Sequence, residues 1–190
     1  MNKRLALALI CIFCCTTGLH AQSRDVWLSG GLLNSAGDAR IGNSWVVAFR
    51  LALNAQGPFG HEFQYTYSQP RFNSTDPSQP GSASMEIHQA GYNFLFYLAP
   101  RESAVRPTVT AGVHLNDFVL PGSVTAPHDI SVKFGFNVGA GLKIRLTPLL
   151  GLRADVRQYE TPKPNWGAPF TSPGGLVHQT EASAGLGIYF

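Results

Sequence analysis

The sequence predicts an all-β chain: an eight-stranded antiparallel barrel that crosses a membrane as an up-and-down meander. Three observations carry this. Eight segments alternate apolar and polar residues with a period of two, and none shows helical spacing, so each reads as a strand whose two faces meet different surroundings. The spacers between them are alternately long and short, as in barrels with tight turns at one membrane face and longer loops at the other. The apolar faces hold more large side chains than an eight-stranded interior can take in.

Ahead of the strands, Lys3 and Arg4 precede the apolar run LALALICIFCC (5–15), and polar and small residues lead to Ala21. That layout predicts a secretory signal peptide over residues 1–21, leaving residues 22–190 as the barrel domain. Eleven apolar residues are about half of the roughly 20 that a helical span needs. Cys14 and Cys15 follow Ile12 and Phe13 rather than a small residue, which argues against lipid attachment. All three cysteines lie in this segment, so an exported domain would do without disulfides. Removing Lys3 and Arg4 takes the formal charge from +3 to +1, which gives no electrostatic case for nucleic acid.

The strands follow in order. Over 25–34, Val26, Leu28, Gly30 and Leu32 share a face; over 43–54, Trp45, Val47, Phe49, Leu51 and Leu53 oppose Ser44, Ala48, Arg50 and Ala52. Over 59–69, Phe63, Tyr65 and Tyr67 oppose Glu62, Gln64 and Thr66; over 85–99, Tyr92, Phe94, Phe96 and Leu98 oppose Gln89, Gly91 and Asn93. The segment 105–118 sets Val109, Ala111, Val113 and Leu115 against Thr108, Thr110, His114 and Asn116. Alternation is clearest over 130–146, where seven apolar residues from Val132 to Ile144 interleave with Lys133, Gly135, Asn137, Gly139, Gly141, Lys143 and Arg145. In 150–159, Leu152, Ala154 and Val156 oppose Arg153, Asp155 and Arg157, and in 177–190 Ala182, Ala184, Leu186, Ile188 and Phe190 oppose Glu181, Ser183, Gly185 and Gly187. The spacers run 35–42, 55–58, 70–84, 100–104, 119–129, 147–148 and 160–176.

A soluble barrel turns its apolar face inward. Here the apolar face is the larger one, while the opposite face is rich in Gly, Ser, Thr and Asn with scattered charges. Charged residues make up 13% of the chain, about half the usual share of a soluble domain. The sheet therefore reads as inside out, and in lipid it has to close so that no backbone group is left unpaired.

FGFNVGAGLKIRLTPLLGLRADVRQY (134–159) resembles the sixth and seventh strands, with their short turn, of the outer membrane protein A-type eight-stranded barrels and their small relatives. DVWLSGG (25–31) is similar to the opening strand of that family and GLGIYF (185–190) to its closing strand. The resemblance implies a multi-pass barrel of the Gram-negative outer membrane with both termini periplasmic, surrounded by lipid and lipopolysaccharide. It implies a C-terminal aromatic strand read by the outer-membrane assembly machinery, and a porin-like architecture without the family's separate peptidoglycan-binding domain. The implied role is non-enzymatic: structural, or interaction at the cell surface.

Alternation turns Arg50, Glu62, Lys133, Lys143, Arg145, Arg153, Asp155, Arg157 and Glu181 inward. Isolated charges there are expensive, so these should pair into a plug; a narrow ion-conducting pore is the alternative. Arg50 and Glu62 are equidistant from Gln56 and are expected to face each other across the hairpin. Trp45, Phe59, Tyr67, Phe96 and Phe190 are candidates for the membrane-interface girdles. The loops 70–84 and 160–176 are rich in Pro, Ser, Gly and Asn and are expected to be mobile and solvent-facing; Trp166 and Phe170 would be contact candidates there or would rest on the rim.

Some barrels of this size are lipid A modifying enzymes, and the deacylases resemble a His and Ser two residues apart supported by a Glu. The nearest matches are His178 with Thr180, Glu86 with His88, and His128 to Ser131, none of which supplies the full set. No metal-ligand spacing is evident, and no cofactor is expected. A soluble lipocalin-like periplasmic carrier is the reading that remains if the sheet is not inside out.

Overall fold

The computed structural model describes residues 23–54, 57–74, 81–120, 130–166 and 174–190. The predicted signal peptide, His128 and Phe170 lie outside the described residues. Ten strands follow one another: β1 (Ser23–Ala36), β2 (Ser44–Asn54), β3 (Phe59–Ser68), β4 (Arg71–Ser74), β5 (Gly81–Ser84), β6 (Glu86–Tyr97), β7 (Val105–Val119), β8 (Ile130–Arg145), β9 (Leu150–Pro162) and β10 (Leu176–Tyr189). Eight of them close into a barrel in the order β1-β10-β9-β8-β7-β6-β3-β2, every neighbour antiparallel.

Side chains follow the expected alternation. Leu28, Phe134 and Leu186 point outward and are more than 60% exposed, while Trp27, Arg50, Glu62 and Arg157 point inward and are fully buried. A fold that buries its arginines and exposes its leucines is stable where the outside is hydrocarbon. The seam between β1 and β10 runs from Asp25↔Tyr189 to Ala36↔His178. Two glycines permit the close approach there: a Cβ on Gly185 would stand 2.1 Å from the Leu28 carbonyl oxygen, and one on Gly187 2.3 Å from the Trp27 ring. Arg24 and Phe190 exchange backbone hydrogen bonds of 2.8 and 2.9 Å, so the start of β1 and the end of β10 lie at the barrel end that carries the short connections from β2 to β3, β6 to β7 and β8 to β9.

Two expectations are corrected. Asn54 pairs with Gly60, which centres the hairpin on Gly57 rather than Gln56; Arg50 therefore faces Gln64, and Glu62 faces Ala52. A slip of two residues keeps every side chain on its own face, so the inward set survives the error. The segment 70–84 is not wholly loop, because β4 and β5 pair beyond the β3–β6 hairpin and Gly42 and Asn73 exchange backbone bonds with Arg71 and Arg40 of 2.9 and 2.8 Å. Phe72 explains this: its ring is buried, and it bridges to Ile41 across the mouth of the barrel.

Candidate functional site

Alternation on eight strands aims the polar side chains at one axis, where they assemble in tiers. Nearest the short turns, Asp25 accepts from Lys143 Nζ at 2.6 Å, from Trp27 Nε1 at 2.9 Å and from Asn54 Nδ2 at 2.9 Å. Lys143 also donates to the Tyr97 hydroxyl at 2.8 Å, and that hydroxyl donates to Asn54. One lysine thus joins three strands around a single carboxylate.

The middle tier is held by arginine forks. Glu62 accepts from Arg153 Nη1 at 2.6 Å, from Arg157 Nη2 at 2.7 Å and from Asn93 at 3.1 Å. Arg153 grips Asp155 through Nε and Nη2 at 2.6 and 2.9 Å, a bidentate geometry that only a planar guanidinium provides. Arg50 pairs with Glu181, which also accepts from Tyr159 at 2.7 Å, and Arg157 reaches Gln64 at 2.7 Å. The network crosses the bore from β3 to β9 and from β2 to β10.

Above it the bore turns neutral. His114 and Thr161 bond at 2.8 Å, Asn116 donates to Thr161 and Gln179 at 3.1 and 3.3 Å, and Thr66 donates to Gln89 at 2.8 Å. The long-loop mouth is then closed by an apolar cluster of Ile41, Phe72, Met85, Ile87, Phe118, Leu120, Trp166 and Val177. Trp166 does not stand exposed as a contact residue. It is fully buried, donates Nε1 to the Phe118 carbonyl at 3.2 Å and meets Phe72 edge to face at 5.4 Å. A large apolar ring beside an open mouth loses less by covering it than by facing water.

Of the nine inward charges expected from the sequence, seven enter these tiers. Lys133 stays half-exposed near the long-loop end and joins no ion pair among the described residues. Arg145 lies at the short-turn mouth, where Nη2 donates to the Arg101 carbonyl at 3.3 Å. The expected set omitted Asp25, Trp27 and Arg106, although the parity of their strands turns all three inward. On the outer surface Trp45 and Tyr67 meet at 5.7 Å near the long loops, while Phe59 packs on Phe96 at 5.5 Å and Phe190 is exposed near the short turns.

The possible catalytic pairs also find their places. His178 contacts Glu160 across the β9–β10 ladder, but the Thr180 hydroxyl donates to Gln158 at 2.5 Å and not to the imidazole. His88 sits between Glu86 at 3.3 Å and the Tyr65 hydroxyl at 2.7 Å, with no serine or threonine hydroxyl bonded to it among the described residues. No group of three metal-ligating side chains occurs among the described residues.

Residues 5–190 match the family described as outer membrane protein beta-barrel domain. Among solved structures, Neisserial surface protein A (NspA) is similar with a TM-score of 0.66 at 17% identity, over 88% of this chain and 97% of that one. OprG from Pseudomonas aeruginosa gives 0.61 at 12% identity, over 90% and 96%, and the outer membrane enzyme PagL gives 0.50 at 13%, over 85% and 97%. At such identities the likeness is one of fold. No curated protein matches the sequence. With a closed eight-stranded barrel, an apolar outside, a charged inside and a family match over nearly the whole length, the chain belongs to the outer membrane protein beta-barrel family and is a barrel of the outer membrane.

Proposed function

We propose that this barrel is a non-enzymatic envelope protein with a closed lumen, in a structural or surface-presenting role. The observation that carries the reading is the bore itself. Ion pairs link Arg50, Glu62, Lys143, Arg153, Asp155, Arg157 and Glu181 with Asp25 across it, and the apolar cluster at the long-loop mouth lies beyond them. An ion entering would have to separate buried pairs, each costing several kcal/mol to break. On this reading the charges rigidify the barrel, Trp45 and Tyr67 anchor it in the outer, lipopolysaccharide-bearing leaflet, and Phe59, Phe96 and Phe190 anchor it at the periplasmic interface. Among the described residues no serine or threonine hydroxyl is bonded to His178 or His88, which supports the non-enzymatic half.

The test is electrical. Purified protein reconstituted in a planar bilayer is expected to give no unitary currents at moderate voltage, and reproducible single-channel steps would replace the plug with a pore.

A further inference from the structure

Deep in the bore, cations and carboxylates balance: Arg50, Lys143, Arg153 and Arg157 are matched by Asp25, Glu62, Asp155 and Glu181. The short-turn mouth departs from that balance. Arg106 of β7, Arg145 of β8 and Arg101 of the turn between β6 and β7 lie there, and none of them joins an ion pair among the described residues. Two of the three guanidiniums are seated on aromatic faces: Arg106 lies 3.8 Å from the Tyr97 ring centroid and Arg145 lies 5.0 Å from that of Tyr189. Stacking orients a guanidinium plane without neutralising it.

Their hydrogen bonds are incomplete as well. Arg106 is only 7% exposed, and the buried Nε of Arg106 and of Arg145 both lack a partner. Asp25 serves Lys143, Trp27 and Asn54, Glu62 serves Arg153 and Arg157, and Glu102 is exposed and joins no ion pair among the described residues. Ser23, Arg101, Arg145, Pro148, Tyr189 and Phe190 line a concavity at this mouth. Water screens such charges only in part at a half-buried mouth, and a bound anion would neutralise them directly.

We infer that the short-turn mouth is an anion site, in which Arg101 and Arg145 hold a phosphate group. Planar guanidinium forks suit phosphate oxygens, and the Tyr189 ring pre-orients that of Arg145. Short turns face the periplasm in barrels of the outer membrane, so the phosphate belongs either to a phospholipid headgroup of the inner leaflet or to a free phosphate or phosphate ester. The inference stands apart from the plugged lumen, because the site lies outside the paired tiers.

The test uses the full barrel in maltoside micelles, a detergent without phosphate, with the arginine Nε–H resonances followed by NMR. One arm titrates inorganic phosphate and the other dihexanoyl phosphatidylglycerol, each against sodium chloride at matched ionic strength. Saturable shifts at Arg101 and Arg145 are expected in at least one arm: saturation by inorganic phosphate identifies a free anion, and saturation by the lipid alone identifies a headgroup. Arg145→Gln and Arg101→Gln should each weaken binding at least tenfold, whereas Lys133→Gln near the opposite mouth should leave it unchanged. Shifts that never saturate, that chloride reproduces, or that both arginine variants retain at wild-type affinity overturn the site.

Discussion

Glu62 shows what a single residue contributes here. Its two carboxylate oxygens are shared by Arg153, Arg157 and Asn93, so removing it strands two buried guanidiniums at once. Glu62→Ala is expected to destabilise the folded barrel by about 3–5 kcal/mol, read as a lowered denaturant midpoint in detergent. Glu62→Gln should also destabilise it, since a neutral amide keeps the shape and loses both ionic partners; an unchanged midpoint for either variant would show the pairs to be dispensable. At this scale the sequence was legible in part. Parity alone points Arg50, Arg153, Arg157 and Glu181 into the bore, but partners depend on register and on neighbouring strands, which is why Arg50 was matched to Glu62 rather than to Glu181. Asp25 and Arg106 lie at the strand beginnings, where alternation has few residues on which to establish itself.

Among the elements, the β1–β10 seam decides whether the sheet closes. Gly185 lies against the Leu28 carbonyl and Ser29, so Gly185→Val would force two strands apart at the pairing that joins β1 to β10. An open edge in lipid leaves backbone groups unpaired at several kcal/mol each. The variant should therefore lose the shift in gel mobility that a folded barrel shows on boiling, and a normal shift would show that the seam can yield. Strand existence and limits were readable because lipid on one side and a polar bore on the other impose a strict period of two. β4 and β5 were not readable: each is four residues long, in a stretch rich in Pro, Ser and Gly, and Phe72 is buried by residues distant in sequence, Ile41 of the β1–β2 loop and Trp166 among them.

At the scale of the whole molecule, the barrel has two unlike ends. The long-loop mouth is covered by an apolar cluster drawn from six separate segments, and the short-turn mouth is lined by arginines. Trp166→Ala should loosen the cap while sparing the barrel, because the ion pairs lie in a different tier. Limited proteolysis of intact cells checks this. Faster cleavage of the long loops is expected, with the folded core retained and still no conductance; loops as resistant as in the wild type would mean that Trp166 does not hold them.

The closed, inside-out barrel follows from the order of residues alone. A period of two, repeated eight times with the larger apolar face turned outward, admits few other solutions once every backbone group must be paired in lipid. The pairing across the bore, the burial of Trp166 and the arginines that join no ion pair among the described residues at the short-turn mouth emerge only once the strands are assembled. The reason is physical: alternation is a local property of each strand, whereas a side chain's partner inside a barrel is set by the stagger of all eight strands around the axis.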